Sequence, residues 1–346
     1  MKVIIRLTLL ILCLVLIGVG IYTFASNLIE QPIEIIEIKQ GSITIINMDD
    51  TTELPIKNSE YTITKLESGD IVERLITDQE GKATSALYDY DMEFEIRQVK
   101  VPSIYQIDNE AVIDIKISED NYEFVTKNKI HQHIEAFLRT ADGEYVINEV
   151  YIPVPTVMQK PELPNGCEIT ALTAVLNYLG YDVSKTEMAD SYLPQQAFFR
   201  EGDKLFGANP YIAFAGNPRD QNGFFVYAPP IVEAANSYIE TMGGTHTAVD
   251  ISKSTREEII QELNNGNPIV IWSTIDQRTA RFNYSWYLIE NGEYFQAATN
   301  LHALVINGYV EDKVHVMDPL EGQILYDADT FFEHYYGLGS VAVAVY

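Results

Sequence analysis

The sequence contains two cysteines in 346 residues. Cys167 stands in PELPNGCEITALTAVLNYLG (161–180), directly after an Asn-Gly pair and directly before an apolar run. Asn165-Gly166 is a turn signal, Leu172, Val175, Leu176 and Leu179 recur at helical spacing, and Gly180 can end the helix. Cys167 is therefore expected in the first turn, where unpaired N–H groups and the helix dipole favour a thiolate over a thiol. The bland alternative is a small apolar residue packed at a helix start, as free cysteine often is.

A nucleophilic thiolate needs a base and a group to orient that base. Six histidines are available. His131 and His133, in HQH, would share one face of a strand and could clasp a metal, but no third ligand accompanies them. His246 in MGGTHT and His334 in EHYYG read as surface polar residues. His302 opens LHALVINGYV, a strong strand pattern, and would sit at a sheet rim. The next strand, KVHVMDPL, follows a tight Glu311-Asp312 turn and ends in Asp318-Pro319. An antiparallel hairpin of this length returns Asp318 to within a few residues of His302 and leaves His315 further down. Taken singly, His302 could be a satisfied edge histidine and Asp318 an Asp-Pro turn. A cysteine opening a helix, then a strand histidine, then an acid on the following strand resembles the order of papain-like cysteine peptidases, in which the histidine deprotonates the thiol and the acid fixes its tautomer. Gln159, eight positions before Cys167, could supply an amide to an oxyanion hole together with the Cys167 backbone N–H.

Two folded units are the natural expectation for this length. The formal net charge of −27 argues against nucleic acid and other polyanions as bulk partners. The chain opens MKVIIRLTLLILCLVLIGVGIYTFASN, with Lys2 and Arg6 followed by an uncharged, mostly apolar run from Leu7 to Ala25. That run is long enough for a transmembrane helix, and a retained anchor over residues 1–30 is preferred to a signal cleaved after Thr23-Phe24-Ala25. Either way the remainder is expected outside the cytoplasm, with Lys2 and Arg6 inside. Leu12 stands where a lipoprotein signal needs a small residue, so Cys13 is not expected to carry lipid. Cys167 is then alone in the exported part, without a partner for an internal disulfide.

Residues 31–150 carry short alternating stretches, IEIIEI, GSITIINM, EYTITKL, DIVERLIT, MEFEIRQV, AVIDIKI, YEFVTK and EYVINEVYI. Turn signals such as 79–82 separate them, which predicts an antiparallel β-sandwich. From 151 to 346 the pattern changes. Helices are predicted after Cys167, over 231–242 and over 254–265, followed by strands at NPIVIWST, HALVINGYV and KVHVMDP, an α+β order. Trp272, Trp286 and nearby tyrosines could line a cleft, though such residues are more often core. Asn217-Pro218-Arg219-Asp220 lies in a long Gly/Pro/Asn-rich loop. No phosphate-cradling loop, calcium loop or zinc ligand set is evident, and no cofactor is expected.

Two resemblances add to this reading. ITIINMDDTTELPIKNSEYTI, TDQEGKAT, MEFEIRQVKVPSIYQID and VIDIKI, over about residues 41 to 130, resemble the SpaA or Cna-B type prealbumin-like domains of Gram-positive surface proteins. Many members of that family form a lysine-to-asparagine isopeptide bond promoted by a glutamate. Here Asn47 stands at the lysine position and Gln98 at the glutamate position, with Asn128 near the expected asparagine. The resemblance thus implies a spacer, or else an adhesive module, without the crosslink.

VPTVMQKPELPNGCEITALTAVLNYLGYDVSKTEMADSYLP, FGANPYIAFAGNPRDQNGFFVYAPPIVEAANSY, NGNPIVIWST and LHALVINGYVEDKVHVMDP resemble, in order, the stand-alone bacterial C-39-like peptidases of papain-like fold. The resemblance spans about 152 to 346 and is most specific at QKPELPNGCE. It implies Gln159, Cys167, His302 and Asp318 as oxyanion glutamine, nucleophile, base and orienting acid. No further membrane bundle or nucleotide-binding loop accompanies it, so double-glycine specificity does not carry over. The reading is a membrane-tethered cysteine peptidase with a β-sandwich spacer, acting on a peptide or protein substrate. The rivals are a cell-wall amidase or transpeptidase using the same thiol, and a surface adhesin whose papain-like domain only binds. Neither the oligomeric state nor the substrate is legible.

Overall fold

The computed structural model describes residues 2–29, 39–108 and 111–346. The first expected strand, IEIIEI, lies outside the described residues.

The amino-terminal run forms a helix, Lys2–Ile29. Among the described residues no helix is long and apolar enough to cross a membrane. That overturns the expected membrane-spanning anchor and the single-pass membrane location.

Residues 40–128 build a sandwich of two sheets, because their alternating Ile, Tyr and Phe residues bury one face of each strand. In one sheet Gln40–Asp49 lies between short antiparallel partners (82–84 and 88–89) and the strand Asn121–Asn128. The other is antiparallel in the order 71–76, 60–65, 93–100, 112–116. Ile43, Ile45, Tyr61, Ile63, Phe94 and Ile96 fill the space between them. One pairing departs from the predicted antiparallel sandwich: Gln40–Asp49 and Asn121–Asn128 run parallel, Asn47 opposite Thr126 and Asp49 opposite Asn128. Parallel neighbours need a long crossover, and the strands of the opposite sheet supply it.

The amide positions singled out in the sequence meet inside this sandwich. Asn47 donates to Ser59 Oγ at 2.6 Å and accepts from Thr126 Oγ1 at 3.1 Å. Gln98 and Asn128 exchange side-chain hydrogen bonds at 3.0 and 2.8 Å, Gln98 also reaches Tyr61 Oη at 2.8 Å, and Asn128 donates to the Gln106 carbonyl at 2.8 Å. A buried network of this kind stabilises only while every member is paired. Asn128→Ala should therefore lower stability by about 1–3 kcal/mol, measured by urea denaturation, with Asn128→Asp intermediate between it and the parent.

The carboxy-terminal unit is built on an eight-stranded sheet. Its central strand, Leu301–Val310, pairs antiparallel with Ile269–Thr274 along residues 301–306 and with Lys313–Asp318 along 305–310. Its far end also accepts Glu149–Tyr151, which places the hairpin Ile134–Arg139/Tyr145–Tyr151 in this sheet. Gly308 permits that approach, since a Cβ there would come within 2.0 Å of the Val150 carbonyl oxygen. The helix Cys167–Tyr178 packs on the central strand and is buried from Cys167 through Leu176, as expected of a helix apolar on nearly every side. Predicted helices at 231–242 and 254–265 form as Ala228–Thr241 and Arg256–Asn264, the latter opened by a Thr255/Glu258 capping box.

Three features were not foreseen. The aromatic-rich segment near the end forms the helix Ala328–Gly337, with His334 buried in it rather than at the surface. Residues 199–207 and 282–298 build a separate four-stranded sheet around Trp286. His131 and His133 lie in a turn rather than on a strand. Trp272 and Trp286 are both core, their indole N–H groups donating to the Val226 and Ala208 carbonyls at 2.9 Å.

Candidate active site

Cys167 is the first residue of its helix, with Gly166 before it making no side-chain cap. The first turn of a helix leaves backbone donors without helical acceptors. Gly166 is wedged between Leu163 and Pro218, whose Cβ atoms would lie 2.8 and 3.3 Å from any added Cβ. The loop that the sequence left without a role holds this turn in place. Asn165 N–H donates to the Pro218 carbonyl at 3.2 Å and its side chain to the Asp220 carbonyl at 2.7 Å, while Arg219 grips both oxygens of Asp190 at 2.8 and 2.6 Å.

His302 sits on the central strand next to Ala303, whose backbone N–H is directed at the Cys167 thiol. Its Nε2 lies 2.8 Å from Asp318 Oδ1, and both side chains are buried. The hairpin pairing closes at Val305 opposite Met317, so Asp318 reaches His302 just beyond the paired residues. Glu311, at the turn, adopts φ of 52°. Asp318 Oδ1 also accepts from Leu320 N–H at 2.7 Å, and Oδ2 from the Tyr326 hydroxyl at 3.2 Å. Burial works to raise the Asp318 carboxyl. The His302 hydrogen bond and charge, the Leu320 N–H and the Tyr326 hydroxyl outweigh it and hold the pKa below the ordinary carboxylate value. Tyr326 is itself pushed up by burial and by the Asp318 charge.

A depressed folded-state pKa contributes stability that is present above the unfolded value, about 3.9 for Asp, and is lost as pH falls through the folded value. The parent should therefore lose thermal stability more steeply than Asp318→Asn as pH drops below about 4, a comparison readable from melting curves in acid.

Gln159 is held from both sides. Its backbone N–H donates to the Pro319 carbonyl at 2.9 Å, adjoining Asp318, and its carbonyl accepts from Leu163 N–H at 2.9 Å in the turn leading to Cys167. Its side-chain nitrogen donates to the Pro164 carbonyl at 2.8 Å, while Oε1 is buried without a hydrogen-bond partner. Lys185 pins this segment from outside through the Met158 carbonyl and an ion pair with Glu162 at 2.7 Å. The structure thus brings Cys167, His302, Asp318 and Gln159 to one end of the central strand. All four are buried, Cys167 at 7% exposure and the other three at 2–3%.

One expectation fails. Burial drives the Cys167 thiol well above its ordinary pKa, and the neighbouring Glu168 carboxylate and the Asp318 charge push the same way, against the Ala303 N–H. Desolvation and like charge outweigh the Ala303 N–H. The thiol donates to Glu168 Oε2 at 3.3 Å. Glu168 is a residue that the sequence reading passed over. Its acidity at a helix start looked ordinary, and only its complete burial sets it apart.

The other histidines lie away from this group. His315 is half-buried against Tyr151, His246 is hydrogen-bonded to Tyr181 at 2.9 Å, and His133 Nε2 lies 2.9 Å from the Asn264 carbonyl. Among the described residues no group of three or more His, Cys, Asp or Glu could hold a metal ion.

Comparison with known proteins matches two stretches of the chain. The model of the Peptidase_C39 like family matches residues 151–343, and that of the SpaA prealbumin-like fold domain matches 41–130. The uncharacterised protein YvpB of Bacillus subtilis is 31% identical over 162 residues, which is 47% of this chain and 61% of YvpB. The chain thus spans less than two thirds of that relative. A Bacillus anthracis crystal structure, assigned as a C39-like peptidase, is 27% identical with a TM-score of 0.51, covering 57% of this chain and 97% of its own.

Proposed function

Since the chain belongs to the Peptidase_C39 like family, we propose that it is a cysteine peptidase that hydrolyses peptide bonds through Cys167, His302 and Asp318. The observation that carries this reading is the His302 Nε2 to Asp318 Oδ1 hydrogen bond of 2.8 Å on the strand that packs against the Cys167 helix. With Nε2 committed to Asp318, Nδ1 is the ring nitrogen left to exchange a proton with sulfur.

In this mechanism Nδ1 of His302 takes the Cys167 proton, and the thiolate attacks the carbonyl carbon of the scissile peptide. Negative charge moves to the carbonyl oxygen, where the Cys167 backbone N–H and Gln159 receive it. Gln159 Nε2 has two protons, and the Pro164 carbonyl uses one. Collapse of the adduct breaks the C–N bond, and the leaving amine takes the proton from His302. The acyl group remains on sulfur as a thioester. A water that gives its proton to His302 attacks this thioester and releases the acid, and the proton returns to sulfur. Asp318 keeps the imidazole oriented and stabilises its charged form throughout.

The test is incubation of the protein with a peptide library and, separately, with peptidoglycan, products being identified by mass. Hydrolysed internal peptide bonds are expected in the library. Cleavage confined to cell-wall crosslinks, or amine adducts in place of hydrolysis, would move the assignment to an amidase or transpeptidase. No product in either would leave a binding domain.

A further inference from the structure

The mechanism gives Glu168 no task, although its position is unusual. The side chain is completely buried, directly follows the cysteine, and has its two oxygens committed separately. Oε1 accepts the Val226 N–H at 3.0 Å, in the segment leading into the helix Ala228–Thr241, and Oε2 accepts the Cys167 S–H at 3.3 Å. The Val226 carbonyl is in turn fixed by Trp272 Nε1 at 2.9 Å. A neutral side chain could bond Val226 equally well. A buried carboxyl costs free energy that such a residue would not, so its placement on the sulfur calls for a reason.

We propose that Glu168 is a positioning residue that competes with His302 for the Cys167 proton: its carboxylate holds the thiol protonated and turned from the imidazole, and the nucleophile forms when that hydrogen bond is given up. This rests on the reading of Cys167 as the nucleophile. The charged and titratable groups around the pair are His302 on the central strand, Asp318 on the strand beside it, Tyr326 behind Asp318, and Tyr227 next to Val226. Glu168 and Asp318 both oppose a thiolate, and protonated His302 alone of these favours it. Burial pushes Glu168 up to about 7, against the pull of its own N–H, the Val226 N–H and the thiol.

The test is Glu168→Gln, which keeps an acceptor for Val226 N–H and removes the negative charge. Alkylation by iodoacetamide is followed against pH on the peptide containing Cys167, so that Cys13 does not contribute. The midpoint of the profile should fall by at least about one pH unit, and labelling at neutral pH should rise about tenfold. A profile that superimposes on the parent's, in a variant with an unchanged melting curve, overturns the inference. Should the variant not fold, the S–H infrared band of the parent, identified by its loss in Cys167→Ala, decides. The lowered frequency of a hydrogen-bonded thiol supports the pairing, and a free-thiol frequency overturns it. Neither readout needs peptide cleavage, so undiminished cleavage by Cys167→Ala would remove the peptidase reading separately.

Discussion

Cys167→Ala should lower kcat for peptide hydrolysis by about five to six orders of magnitude, the scale on which a covalent nucleophile acts. The substitution removes one sulfur from the head of a buried helix and leaves the backbone donors of that turn in place. Substrate binding should therefore survive, with KM changed far less than kcat. Global stability should fall only slightly, since Glu168 loses a weak donor but retains the Val226 N–H. Single-turnover assays with mass detection of products, run beside a thermal melt, separate loss of chemistry from loss of fold. Cleavage at the parent's rate would refute the thiol mechanism outright.

The second large effect belongs to His302. His302→Ala should reduce kcat by about 10²–10⁴-fold, the usual range for general acid–base groups. It also removes the donor to Asp318 Oδ1, leaving a buried carboxylate with only Leu320 N–H and Tyr326, so it should destabilise by about 1–3 kcal/mol. His302→Gln can still donate to Asp318 and should recover much of the stability while recovering none of the rate. A glutamine variant as active as the parent would show that the imidazole moves no proton. Equal stability of the two variants would instead argue that the hydrogen bond to Asp318 contributes little to the fold.

Much of this site could be read along the chain because its parts obey local rules. A turn followed by helical apolar spacing fixed where Cys167 begins its helix. Strand patterns on either side of a two-residue turn predicted a hairpin that returns Asp318 to within a few residues of His302 and leaves His315 further down. The same alternation marked the sandwich strands, but not the parallel pairing of 40–49 with 121–128, which joins segments far apart in sequence. The amino-terminal helix shows the opposite limit. Apolar length suggested a membrane span, and no helix among the described residues is long and apolar enough to make one.

The sequence by itself determined the elements that bear the cysteine, histidine and aspartate and the chain order of those residues, since each follows from periodicity and turn chemistry within a short stretch. Only the tertiary structure decided the electrostatics. Whether a helix start favours a thiolate depends on how much water the sulfur loses and which charges surround it. Those were set by the burial of the helix start and by Glu168 and Asp318 lying close to the thiol. Desolvation and long-range contact are properties of the packed molecule, and no spacing along the chain encodes them.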